Sequence, residues 1–281
     1  MGDEDLLGDH GLTQLQSVER VLPVPKPFKL ASREFSVQST AMHLGDAAHT
    51  VIGGRDLVVI AGPCSVRGRD MMFETAHAVQ RSRARLLRAG AFKPRSSPYA
   101  FQGMGEKGLE ILAEVRAETG MPMVTEEMDA RQVELVASYA DVLQIGARSM
   151  QNFSLLTEVG RTLRPTLLKR GLSATITELL MAAEYITAHG YGDVTLCERG
   201  IRAYGTATRN TLAMAAVAAV ADGLIVEVLP RPATAKSDGE QSLEPSAFAA
   251  MMQQVRAVAL AVGRDFPAVS IGGGDPRIGA A

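Results

Sequence analysis

Cysteine is scarce in this chain: two residues in 281, Cys64 and Cys197. Two thiols cannot build the disulfide framework of a secreted domain, so the sequence reads as a protein of the reducing cytoplasm. An excess of positive charge is also missing. Lys and Arg number 29 against 31 Asp and Glu, a net charge of −2, which excludes a basic surface offered to nucleic acid or membrane. Cations gathered inside a pocket are hidden in that total. No apolar run reaches the ~20 residues that span a bilayer. Met1–Gly11 is acidic and has no apolar core of the kind a signal peptide needs. Of five histidines, His10, His43, His49, His77 and His189, none stands at the end of a strand-like run.

Seven such runs are present: Leu57–Ala61, Leu87–Phe92, Met121–Thr125, Val142–Gly146, Pro165–Lys169, Val194–Cys197 and Gly223–Val228. Helical stretches separate them. In Glu106–Thr119 one face carries Leu109, Leu112 and Val115; in Ala130–Tyr139 it carries Val133, Val136 and Ala137. Ala-rich Asn210–Val220 and a last helix from Glu244 to about Val262 follow. Strands alternating with helices predict an α/β protein with a parallel sheet, a TIM-type (β/α)8 barrel that lacks one helix–strand unit. The barrel is expected over residues 51–265, after an N-terminal extension (1–50) and before a flexible tail (266–281). Val21–Pro27 holds three prolines and reads as an extended connector. Phe28–Ser36 reads as a strand or small hairpin over the barrel floor.

Charged residues mark the strand ends, where such barrels do their chemistry. Arg88, Lys93 and Arg95 surround the second, Arg148 ends the fourth, Lys169 the fifth and Arg199 the sixth. Six cations in one mouth repel one another unless an anion is expected there. Each alone also fits an ordinary loop surface; their recurrence at successive strand ends favours phosphate or carboxylate binding. Cys64 at the first strand end, Glu227 at the last and Asp238 in the loop beyond form a thiolate–carboxylate set suited to a divalent transition metal. Cys64 also fits a small buried hydrophobe, and Asp238 a turn with Gly239.

The runs Ala61-Gly-Pro-Cys-Ser-Val66, Lys93-Pro-Arg-Ser-Ser-Pro-Tyr-Ala-Phe-Gln-Gly-Met-Gly-Glu-Lys-Gly-Leu109, Ile145-Gly-Ala-Arg148, Leu168-Lys-Arg-Gly171, Cys197-Glu-Arg-Gly200, Ile225-Val-Glu-Val228 and Lys236-Ser-Asp-Gly-Glu-Gln-Ser-Leu243 resemble the 3-deoxy-D-arabino-heptulosonate 7-phosphate (DAHP) synthases. The branch is the one related to the 3-deoxy-manno-octulosonate 8-phosphate synthases. The resemblance covers about residues 20–262. It implies a transferase of the first step of the shikimate pathway to aromatic amino acids, condensing phosphoenolpyruvate with D-erythrose 4-phosphate. It also implies roles. Arg88, Lys93, Arg148, Lys169 and Arg199 hold phosphoenolpyruvate; Arg95 and Ser96 hold the aldose phosphate; Lys93 and Cys64 are catalytic. Cys64, Glu227 and Asp238 bind a divalent ion, Mn2+ or similar.

The chain also departs from that pattern. In the family, the Arg-Asn-Thr run leads into a further helix and a strand ending in an Asp-Pro-Ser-His type motif, whose histidine is a metal ligand. Here Arg209-Asn-Thr-Leu212 runs straight into the Ala-rich helix that precedes the last strand. About 30 residues, one helix and one strand, are missing as a block. The residue after Val228 is Leu229, where the family often has histidine. Metal binding is expected to be weakened. A seam is expected to drive homo-oligomer formation. The alternative function is a catalytically impaired copy that binds phosphorylated ligands or an active partner.

Overall fold

A parallel strand is buried on both faces, so its apolar residues run on without a gap, and only the packing separates the inside of a barrel from its outside. In a computed structural model of the chain, residues 14–17, 27–32, 35, 40–44, 50–93, 97–190, 193–198, 206–235 and 239–266 are described, with the backbone alone at 206–211 and 234. Two short strands, β1 (Met42–Leu44) and β2 (Thr50–Ile52), pair antiparallel. Seven strands follow: β3 (Val58–Gly62), β4 (Leu86–Arg88), β5 (Met123–Glu127), β6 (Val142–Ile145), β7 (Thr166–Lys169), β8 (Val194–Cys197) and β9 (Gly223–Glu227). The helices are α1 (Arg69–Arg81), α2 (Glu106–Thr119), α3 (Val133–Tyr139), α4 (Phe153–Arg161), α5 (Ile176–His189), α6 (Thr206–Ala218) and α7 (Pro245–Ala261).

The seven strands form one parallel sheet in the order β8-β7-β6-β5-β4-β3-β9. The last strand thus returns beside the first, Val58 opposite Gly223 and Gly62 opposite Glu227. Among the described residues, no strand joins β8 to β9. The sequence expectation of seven strands in a barrel-type α/β fold holds. The sheet is curled, because side chains from β3 to β7 meet in one buried cluster. Val58, Ile60, Leu86, Val124, Val142 and Leu167 pack together, with Cys197 and Ile225 against them. The alternate residues face the helices. Val59, Ala61, Leu87 and Met123 pack with α1, α2 and α7, and Leu143, Ile145 and Leu168 with α3, α4 and α5.

Local sequence explains the helices. Leu109, Leu112 and Val115 of α2, and Val133, Val136 and Ala137 of α3, are buried as their spacing predicts. Helix α3 begins three residues later than expected. The Asp129 carboxylate accepts from the Arg131 backbone and guanidinium, and this local turn takes up residues 129–132. Thr175 and Glu178 close a reciprocal capping box on α5, and the Asn152 side chain accepts the Leu155 N–H at the start of α4.

One expectation fails. Phe28–Ser36 is not a strand over the floor: its described residues form turns. The segment lies against α5 instead, where the Glu184 carboxylate accepts the N–H groups of Leu30 and Ala31 at 3.1 and 2.9 Å. The floor belongs to the β1–β2 hairpin. Its Met42, Leu44 and Ile52 join the cluster inside the sheet and seal its N-terminal end.

Candidate active site

Period-two alternation carries the inward face of each strand one step beyond the apolar cluster. There the residue type changes. Above Leu86 comes Arg88, above Val124 Glu126, above Val142 Gln144, above Leu167 Lys169, and above Ile225 Glu227, with Cys197 on β8 opposite Lys169. A dry floor and an ionised upper layer thus stack inside the same sheet, the charges at the strands' C-terminal ends. Arg88, Glu126 and Gln144 are buried; Lys169, Cys197 and Glu227 are half-buried.

The charges are paired unevenly. Arg88 Nη1 donates to Glu227 Oε1 at 2.8 Å across the β3–β4–β9 region. Lys93 Nζ donates to Glu126 Oε2 at 3.1 Å, and both side chains are buried. Burial works against the Lys93 charge, but Glu126 and Cys64 beside it outweigh burial and raise its pKa. Arg88 behaves likewise: burial opposes its charge, Glu227 and Cys64 favour it, and its pKa rises. At Lys169 the nearby Cys197, Glu126 and Glu227 favour the charge too weakly to compensate. Burial and the repulsion of Arg88 bring its pKa down to about 8.

The loop after β3 positions Cys64. Gly90 donates to the Cys64 carbonyl at 3.2 Å, and Val66 donates to the Gly90 carbonyl at 3.0 Å. This short ladder sets the thiol beside Arg88 and Lys93. Glycine is required at Gly62, at φ +149, because a Cβ there would lie 2.2 Å from the Arg88 carbonyl oxygen. On the other side, the loop after β9 is closed by Val228 donating to Gly62, Leu243 to Glu227 and Leu229 to Leu243. Arg231 ties that loop to α1 through Glu74 at 2.9 Å.

Of the residues chosen from sequence, Cys64, Arg88, Lys93, Lys169 and Glu227 converge on this inner layer. Arg148 lies apart. It is exposed on the turn Ala147–Ser149 after β6, and lines a cleft of about 210 Å³ with Gln151, Gly171 and Ser173. Arg95, Ser96, Arg199 and Asp238 lie outside the described residues. Three inner-layer members were given no role from sequence: Glu126, Gln144 and Cys197. Each stands two residues beyond an inward-facing position, a signal readable only once the inward face is known. Glu127 points elsewhere. Its buried carboxylate accepts the N–H groups of Met128 and Asp129 at 2.6 and 2.8 Å, and burial raises its pKa.

Gly146 leaves the room that Glu126 occupies: a Cβ there would lie 2.2 Å from Glu126 Oε1. Gly146→Ala is therefore expected to push the carboxylate off Lys93. A misplacement of about 1 Å near reacting groups costs roughly 10²-fold in rate. Steady-state kinetics showing wild-type kcat in this variant would count against a positioning role for Glu126.

Two of the three expected metal ligands can be assessed. Glu227 Oε2 is buried with no hydrogen-bond partner, an orphaned acceptor that a cation would satisfy. The Cys64 thiol is buried on the adjoining loop. Thiolate and carboxylate together fit a divalent transition metal. Among the described residues, no group of three metal-binding side chains is gathered.

A curled parallel sheet with a sealed floor and an ionised mouth defines an enzyme of the barrel class that takes anionic substrates. Comparison narrows the class. Residues 34–221 match the model of the DAHP synthetase I family, and the chain belongs to that family. It is 43% identical to phospho-2-dehydro-3-deoxyheptonate aldolase of Thermotoga maritima, over 94% of this chain and 87% of that one. The crystal structure of DAHP synthase from Thermotoga maritima superposes with a TM-score of 0.80 at 41% identity, covering 94% of this chain and 86% of that one. A truncated form of the Thermotoga maritima synthase gives 0.75 at 39% identity, over 85% of this chain and 98% of that one. The 2-dehydro-3-deoxyphosphooctonate aldolase of Bordetella petrii is 28% identical, over 70% and 88% of the two chains. The 43% match runs over 296 positions but uses 94% of 281 residues, about 264, so about 32 positions have no counterpart here. That number is close to the block of about 30 residues that the sequence leads one to expect missing after Leu212.

Proposed function

We propose that the inner layer holds phosphoenolpyruvate while it condenses with D-erythrose 4-phosphate to give DAHP and inorganic phosphate. The observation that supports this most directly is the set of Arg88, Lys93 and Lys169 around one inward-facing space, inside a chain of the DAHP synthetase I family. In this reading Arg88, Lys93 and Lys169 bind the phosphate and carboxylate, with Arg148 and Arg199 contributing from the loops. Arg95 and Ser96 hold the aldose phosphate. C3 of phosphoenolpyruvate bonds to the aldehyde carbon, water adds at C2, and phosphate leaves. Fixed cations stabilise the charge that develops between these events without reorganising. Glu126 keeps Lys93 charged and oriented. Cys64, Glu227 and Asp238 would hold a divalent ion, Mn2+ or similar, which supplies Lewis-acid polarisation of the aldehyde oxygen. The impaired-copy alternative is not favoured, given the paired inner layer and the 43% identity to a named aldolase. No helix among the described residues is long and apolar enough to cross a membrane, and a cytoplasmic place suits the reaction.

The direct test incubates pure protein with both substrates and Mn2+ and follows loss of phosphoenolpyruvate. Cys64→Ala is expected to abolish the metal-dependent part of turnover, since the thiolate is a ligand. Full activity of that variant, or in excess chelator, would rule the metal site out. Calorimetry is expected to show phosphoenolpyruvate binding at least about tenfold weaker in Arg148→Ala, or ~1.4 kcal/mol. Equal affinity would remove Arg148 from the pocket.

A further inference from the structure

Two lysines share the mouth in opposite surroundings. Lys93 has a carboxylate at 3.1 Å and is held as an ammonium. Lys169 has neither an ion pair nor a hydrogen bond from its ammonium among the described residues. It stands in the upper layer of β7, beside Gln144 of β6 and Cys197 of β8. The charged and titratable groups that face it are Arg88 from β4, Cys197 from β8, Glu126 from β5 and Glu227 from β9. Both carboxylates already serve other cations, Arg88 and Lys93. What reaches Lys169 is therefore chiefly burial and the Arg88 charge, the two conditions that activate a lysine as a nucleophile.

We propose that Lys169 is a nucleophilic amine that captures phosphorylated aldehydes as a reversible imine. The phosphate is drawn by the neighbouring cations, and the aldehyde is delivered to Lys169, whose amine carries no ion pair among the described residues. The amine lone pair attacks the carbonyl carbon, and a proton moves from nitrogen to oxygen. Water then leaves the carbinolamine as the C=N bond forms. No oxidant or reductant is needed, and hydrolysis returns both partners. The inference goes beyond the condensation, because the imine forms whether or not the chain turns over. Burial and the Arg88 charge lower the Lys169 pKa to about 8, so the free amine grows as pH rises through that value.

The test treats the full chain with pyridoxal 5′-phosphate, a phosphorylated aldehyde, then traps any imine with borohydride, which donates hydride to the C=N carbon. Peptide mass mapping locates the label among the six lysines, Lys26, Lys29, Lys93, Lys107, Lys169 and Lys236. The expected result is labelling concentrated on Lys169 and absent from Lys93, rising about tenfold between pH 7 and pH 9 around the value of about 8. Inorganic phosphate should suppress it, and Lys169→Arg should abolish it. Label on exposed Lys29 and Lys107 at an equal rate would overturn the proposal, as would labelling of Lys169 indifferent to phosphate. Both outcomes are read on the unmodified chain, so they do not depend on the variant folding. Labelling of Lys169 in a protein that fails the condensation assay would leave the imine standing and remove the condensation. Turnover without selective labelling would do the reverse.

Discussion

Lys93→Met is expected to abolish turnover and to lower folding stability by about 3–5 kcal/mol, the usual cost of stranding one member of a buried ion pair. Lys93 and Glu126 meet at 3.1 Å with side chains only 7% and 10% exposed, so water cannot stand in for the lost partner. The double variant Lys93→Met/Glu126→Leu removes both charges. It is expected to regain most of the stability and none of the activity. Urea unfolding measures the first quantity and phosphoenolpyruvate consumption the second. A Lys93→Met protein as stable as the parent would show that the pair is solvated and contributes little. The pH dependence has a definite sign. The folded pKa of Lys93 is raised, so the pair's contribution is complete below the ordinary lysine value of 10.5 and is lost only as pH climbs through the raised value. Lys169 acts oppositely. With a folded value of about 8 against 10.5, the unfolded chain binds more protons between those limits, and stability from this residue rises with pH there.

At micromolar concentration the chain is expected to be a homo-oligomer by light scattering. β8 and β9 end the sheet without pairing to each other, and exposed edges of apolar strands seldom stay bare. Burial marks the same place. Every residue of β3 and β5 is buried, whereas every residue of β9 is half-buried. Leu196 of β8, which alternates with the inward Thr195 and Cys197, is 43% exposed on the face where a helix would pack, and Val220 after α6 is 53% exposed. Leu196→Lys is expected to weaken association at least about tenfold, or ~1.4 kcal/mol. A monodisperse monomer whose amides over residues 212–220 resist hydrogen exchange would sink this prediction.

Much of this was legible in the sequence, and the rest was hidden for physical reasons. The seven strands and the faces of α2 and α3 follow from periodicity and burial, which sequence carries directly. The charged strand ends were equally plain, but their inward members were not separable from their neighbours. In Thr125-Glu126-Glu127 two adjacent carboxylates differ only in which way the pleat points them, and all three residues are buried. The floor was misplaced because β1 and β2 are three residues each, too short to show a period. Phe28, meanwhile, is buried through turns held by Glu184 rather than through a strand.

The interrupted wall has one more consequence. A cup has a single rim, and traffic in and out must share it. With the hairpin sealing the bottom and no strand between β8 and β9 among the described residues, the described wall is interrupted on the flank beside Cys197. Cys197 is half-buried there, whereas Cys64 is buried beyond β9 and laddered to Gly90. The two sulfur atoms are therefore gauges of two sides of the cup, and a bulky thiol reagent is expected to alkylate Cys197 before Cys64.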